Sequence, residues 1–233
     1  MKPESLKELK DALSWLENIR DNEDTKSSVE FAIKAINHAI YYETPKPKGK
    51  FDLRKWCADD QLRYVMTGIY HDEGFQIASD GHVLCCIKAD YDAELEHKII
   101  GANGDEIDGR YPNYKSVRGT DYKLEYKIDT EKVYDALRQY KAAKKAAGKW
   151  GDVPMCMIKV GNKENGYSYF NVIVMAVFCT FMDHKNNNVL RVKDPNRAAE
   201  CACEDGSWAL LMPVVHDDDE VDNGRIVVDA TIE

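Results

Sequence analysis

Three short stretches carry the residue types of a chemical site. Ser79-Asp80-Gly81-His82 combines a hydroxyl, a carboxylate and an imidazole, His71-Asp72-Glu73 offers an imidazole beside two carboxylates, and Asp217–Glu220 concentrates acid within HDDDEVDNG. A hydrolytic triad must converge on one substrate atom from separate elements, and consecutive residues around a hairpin tip are badly placed to do so. The 71–73 group falls in an expected turn, where a histidine is normally solvated. The acidic run lacks the alternating ligand spacing of a calcium loop and reads as a solvated tail. No GxxxxGK phosphate loop is present, and the seven cysteines contain no CxxC pair. Reduced, mostly buried thiols are therefore expected, with no metal, no cofactor and no catalytic site.

The remaining chemical signal is electrostatic. A helix expected from about Glu131 to Ala147 places Arg138, Lys141, Lys145 and Lys149 within roughly an 80° arc at 100° per residue. Lys149 lies just past the expected end, and Lys144 projects toward the apolar flank. Val133, Ala136, Leu137, Tyr140, Ala143 and Ala147 take the other side, which predicts a face packed on a sheet and a cationic row opposite it. Such a row is either a solvated lysine face or a surface that follows phosphates without reading sequence. The net charge of −9 argues against a protein that coats nucleic acid with its whole surface, but not against a local stripe.

These residues need a scaffold, and its centre is the stretch 64–86. Asp80-Gly81 is read as a type I′ turn between strands, and Asp72-Glu73-Gly74 as a second turn leading back to a strand over Tyr64–Tyr70. Residues 4–42 read as two helices forming a hairpin, followed by a linker rich in proline and lysine at 44–50. Downstream, strands are expected at Leu124–Ile128, Met155–Val160, Val189–Lys193, Ala198–Cys203 and Ser207–Val215. Asn171 caps an apolar helix reaching Lys185. The most apolar run, Val172–Met182, has 11 residues, well short of the ~20 that cross a bilayer. The start, MKPESLKELK, is polar, which predicts no export signal and a cytoplasmic protein that meets no membrane.

Three segments together resemble the bacterial sliding clamp, the beta subunit of DNA polymerase III. IASDGHVL (77–84) is similar to that family's ATDGHRL hairpin, GRYPNYKSV (109–117) to its GRFPDYRRV segment, and residues 170–214, ending in MPV, to its last helix and closing strands. The order is the family's order. The resemblance implies an α+β fold of β-α-β-β-β units and a non-enzymatic protein that associates with duplex DNA independently of sequence. It also implies recruitment of replication or repair partners through clamp-binding peptide motifs, and a homo-oligomer where a ring closes. An adaptor or decoy that holds peptides without encircling DNA is the second reading. The implied units are 51–123, truncated, and 124–215, with an acidic tail at 216–233. Arg138, Lys141, Lys144, Lys145 and Lys149 would face DNA. The implied groove draws on Ser79, Gly81, His82, Val83 and Leu84, on Pro112, Ser116 and Val117, and on Leu210, Leu211, Met212, Pro213 and Val214. Val83 stands where the family has an arginine.

Overall fold

In a computed structural model the described residues are 51–148, 152–214 and 225–232. The expected helical hairpin (1–43), the linker (44–50), Lys149 and the acidic run at 217–220 lie outside them. Ile100–Ile107 falls outside the main unit, which comprises Phe51–Ile99 and Asp108–Glu233. Within that short segment Ile100 bridges Glu106, and the Gly101 amide donates to the Asp105 carbonyl at 2.8 Å.

The main unit is α+β. Its strands are β1 (Ile69–Asp72), β2 (Phe75–Ser79), β3 (Val83–Lys88), β4 (Ile99–Ile100), β5 (Leu124–Ile128), β6 (Cys156–Asn162), β7 (Gly166–Asn171), β8 (Val189–Val192), β9 (Ala199–Ala202), β10 (Trp208–Leu211), β11 (Ile226–Asp229) and β12 (Thr231–Ile232). The helices are α1 (Thr130–Ala147) and α2 (Val172–Lys185). One sheet runs β12-β5-β8-β9-β10-β3-β2-β1-β4, and a second runs β11-β6-β7. Strands from either side of residue 123 therefore share a sheet: β3 pairs antiparallel with β10, Leu84 opposite Leu210 and Val83 opposite Leu211.

Side-chain alternation sorts the long sheet into two faces. Val83, Cys85, Ala209, Leu211, Ala199, Cys201, Leu190, Tyr126 and Ile128 point toward the helices and join one core with α1, α2, β6 and β7. Trp56, fully buried, packs against Phe178 and Phe181 of α2 with ring centroids 6.1 and 6.3 Å apart. Helix α2 is apolar on nearly every side because it is enclosed. The Asn171 side chain caps it by accepting from the Ile173 amide at 2.8 Å, and Asn186, left-handed at φ 49, ends it. Helix α1 begins at Asp129, whose carboxylate accepts from the Lys132 amide at 3.0 Å. The two helices are fastened by Asp183, which accepts from the Thr130 and Tyr134 hydroxyls at 2.9 and 2.6 Å.

Several local expectations are revised. The two-residue turn with positive φ at both positions is Glu73-Gly74 (φ 52 and 78), whereas the Asp80 loop has three residues and only Gly81 at φ 88. Asp80 gives up the type I′ geometry because its carboxylate instead accepts from the His82 and Val83 amides at 2.7 and 2.8 Å. Gln61–Thr67 is 3-10 helix rather than strand, started by the Asp60 side chain accepting from the Arg63 amide. The strand β7 was not foreseen, since Gly166–Asn171 is short and polar at its start. His71 is buried rather than solvated: it lies in β1, between Gln76 Nε2 at 3.2 Å and the Lys98 carbonyl at 3.3 Å. The end of the expected tail is built into the fold. Ile226–Asp229 adds parallel to β6 and Thr231–Ile232 antiparallel to β5, because backbone groups at an open sheet edge gain partners there.

Candidate peptide groove and basic helix face

The hairpin tip is a rigid frame. The Ser79 hydroxyl donates to the Val83 carbonyl at 2.7 Å and accepts from the Gly81 amide at 3.1 Å, closing the loop from within. The Met212 amide donates to the His82 carbonyl at 2.9 Å, so the closing strand continues directly onto this tip. The register then makes a cross-strand row of Ser79, Leu84, Leu210 and Glu200 on the face away from the helices. The next row is Ile77, Cys86, Trp208 and Ala202.

The 109–118 segment lies over that face. Tyr114 stacks on Trp208 at 6.2 Å and its hydroxyl donates to Asp72 at 2.7 Å. Tyr111 stacks on Tyr70 at 5.0 Å. Arg118 covers the Trp208 ring at 4.8 Å and donates to Glu200 at 2.6 Å. Glu200 is 2% exposed, so its carboxylate relies on the Arg118 guanidinium for a charged partner. With one end of the row held by Arg118, its neighbours Ser116 and Val117 are presented at the surface.

The expected groove residues divide accordingly. Val83 and Leu211 are core residues on the helix side and line nothing, because alternation turns them away from Leu84 and Leu210. Leu84, Leu210 and Ser79 are buried in the opposite face, beneath the rim. Gly81, His82, Pro112 and Ser116 are exposed, Val117 and Met212 are exposed apolar residues, and Pro213 and Val214 are half-buried. Val214 also donates its amide to the Tyr169 carbonyl at 2.8 Å. A cavity of about 340 Å³ borders Pro112, yet it opens on Tyr70, Asp72 and His97 rather than on Met212.

One neighbour was missed by sequence. Arg63 donates to the Asp80 carbonyl and pairs with Asp60, which puts a guanidinium at the hairpin tip. The preceding and following side chains, Leu62 and Tyr64, are exposed. The Asp60-x-x-Arg63 spacing after a polar loop is the sequence signal for it.

On α1 the basic row is real but uneven. Arg138 is paired with Asp135, and Lys144 sits over the Tyr140 ring at 5.4 Å. Lys141 and Lys145 are exposed. The packed side is shorter than expected: Val133, Ala136 and Tyr140 are buried, whereas Ala143 and Ala147 are exposed along with everything else from 141 to 148. Alanine cannot signal which face it occupies, since it is the best helix former on either. Helix α2 offers no cation before His184.

The seven cysteines are free, and burial pushes the thiols of Cys57, Cys86 and Cys201 up to about 12. Asp205 is held at about 2 by the Lys185 ammonium 2.7 Å away.

The described geometry is similar to that of solved beta sliding clamps. The C. crescentus beta sliding clamp aligns with 70% of this chain at 15% identity and a TM-score of 0.52. The Helicobacter pylori beta clamp bound to a DNA ligase peptide aligns over the same share at 11% identity and 0.50. This is the beta sliding-clamp fold. Each alignment covers 61% of the clamp chain, so the protein spans less than two thirds of a clamp subunit. No protein-family model matches the sequence, and neither does any curated protein. Among the described residues no helix is long and apolar enough to cross a membrane.

Proposed function

We propose that this chain is a shortened, non-enzymatic sliding-clamp-like protein that recruits short peptides of replication or repair partners while associating with DNA. The observation that carries the reading is the junction of the Ser79–Leu84 tip with β10 and the Met212 that follows it, bordered by the 109–118 segment, in a clamp fold. Exposed Val117 and Met212, with Leu84 and Leu210 buried, support reading this region as an apolar strip with polar ends, of the kind that takes an extended peptide. The H. pylori clamp bound to a ligase peptide is a fold neighbour in which peptide capture occurs. The units 51–123 and 124–215, a cytoplasmic setting and assembly of several copies into a ring belong to the same reading. Lys141 and Lys145, with Lys149, are its phosphate contacts, and Arg138 and Lys144 are secondary ones because each is already engaged.

The test is fluorescence anisotropy with labelled clamp-binding peptides, run beside native mass measurement with and without primed circular DNA. Two apolar anchors, each worth roughly 1.5–3 kcal/mol, minus ordering losses, give affinity near micromolar. Met212→Glu should abolish binding while circular dichroism stays unchanged. Absence of peptide binding by the folded protein at high micromolar concentration refutes the groove. Peptide binding by a monomer that never associates with DNA supports the adaptor reading.

A further inference from the structure

The end of β1 gathers three metal-ligating side chains that neither the groove nor the basic helix uses. Asp72 is the last residue of the strand, and Glu96 and His97 lie on the loop before β4. One donor atom from each lies within 4.8 Å of the other two. His97 Nδ1 is 3.1 Å from Asp72 Oδ1, and His97 Nε2 is 3.9 Å from Glu96 Oε1.

Partners outside the trio hold these donors. Asp72 Oδ2 accepts from the Tyr114 hydroxyl at 2.7 Å, which leaves Oδ1 toward the imidazole. Glu96 accepts from the Glu73 amide at 2.8 Å and from the Tyr91 hydroxyl at 2.6 Å. Outer hydrogen bonds of this kind orient ligating carboxylates. Charge is suited to a dication. Lys115 is shared between Glu73 at 2.8 Å and Asp72 at 3.1 Å, so two carboxylates share one ammonium and the Glu96 carboxylate adds a further negative charge. Space is present too: the cavity of about 340 Å³ opens on Asp72 and His97, with Arg110 at its border.

We propose that Asp72, Glu96 and His97 form a binding site for a divalent transition-metal ion of the zinc kind. One imidazole nitrogen with two carboxylate oxygens is a donor set that suits zinc, with water completing the coordination, whereas calcium and magnesium favour oxygen alone. A bound ion ties the 93–97 loop to the β1–β2 hairpin and, through the Asp72–Tyr114 bond, to the segment that borders the groove.

The experiment is titration calorimetry of the full chain, reduced and freed of metal by chelator, with zinc chloride alone. One equivalent of zinc is expected to bind, and His97→Ala and Glu96→Gln should each weaken it at least about tenfold. The His97 side chain is 68% exposed, so its removal leaves the fold intact, and a thermal melt checks this. Cobalt substitution separates the proposed site from the cysteines, since thiolate ligation gives a near-ultraviolet charge-transfer band and an imidazole–carboxylate site does not. Absence of zinc binding, equal affinity in the His97→Ala protein, or a thiolate band each overturns the assignment.

Discussion

Replacing Arg118 by methionine tests how the 109–118 segment is held. The long apolar stem can still cover Trp208, so the change removes the charge and little packing. It leaves the Glu200 carboxylate, 2% exposed, without the guanidinium now 2.6 Å away. Breaking a buried pair from one side costs about 3–5 kcal/mol, and because 41% of the Arg118 side chain reaches solvent the low end applies. Loss of the cation–π contact over Trp208 adds about 0.5–1 kcal/mol. With a urea m-value of roughly 2–3 kcal/mol/M, a total cost of about 3.5–4 kcal/mol moves the unfolding midpoint down by about 1–2 M. Removing both charges in Arg118→Met/Glu200→Met should recover most of that loss, since no buried charge remains. Equilibrium urea unfolding of the two single variants and the double variant closes the cycle. The obvious rival is Arg191, which lies opposite Glu200 and now bonds Glu125 at 3.1 Å. If Arg118→Met shifts the midpoint by less than about 0.3 M, or the double variant is no more stable than Arg118→Met, the tether argument is refuted.

Other consequences follow from single groups. Lys141→Ala/Lys145→Ala should weaken binding to all duplex sequences alike and flatten the slope of log affinity against log salt by about 1.8, read from filter binding at several salt concentrations. An unchanged slope removes these lysines from the interface. The Cys57, Cys86 and Cys201 thiols, raised by burial from an ordinary 9 to about 12, favour the fold while they are protonated. That stability is complete below pH 9 and is lost as pH climbs toward 12, so urea midpoints should fall across that window and hold steady between pH 7 and 8. Gly161→Ala should cost more than about 1–3 kcal/mol in chemical denaturation, because at φ 140 an added Cβ would lie 2.3 Å from the Gly166 carbonyl oxygen. A variant as stable as the parent would show that the β6–β7 hairpin yields at little cost.

The sequence by itself determined the elements whose signals are local. Asn171, and either Asp129 or Thr130, announce helix starts with a side chain that can reach a free amide two or three residues on, and Asn171 and Asp129 form the caps. The uninterrupted apolar run of α2 required enclosure, and it is enclosed. The order of IASDGHVL, GRYPNYKSV and the closing strands was enough to name the clamp fold. What the sequence left open depends on which face a residue ends up on and on who its distant neighbours are. Val83 and Leu84 look alike in the chain, yet only the pairing of β3 with β10 and the side taken by α2 send one to the core and the other to the opposite face. The alanines at 143 and 147 read as packed, but both are exposed. Residues 226–232 are strand-like in sequence, but which strand edges accept them is decided only by the fold. Asp72 is separated from Glu96 and His97 by two turns, two strands and a loop, and Arg118 from Glu200 by 82 positions. Chain closure over such distances is decided by the summed burial of the whole core, and no short stretch of sequence records it.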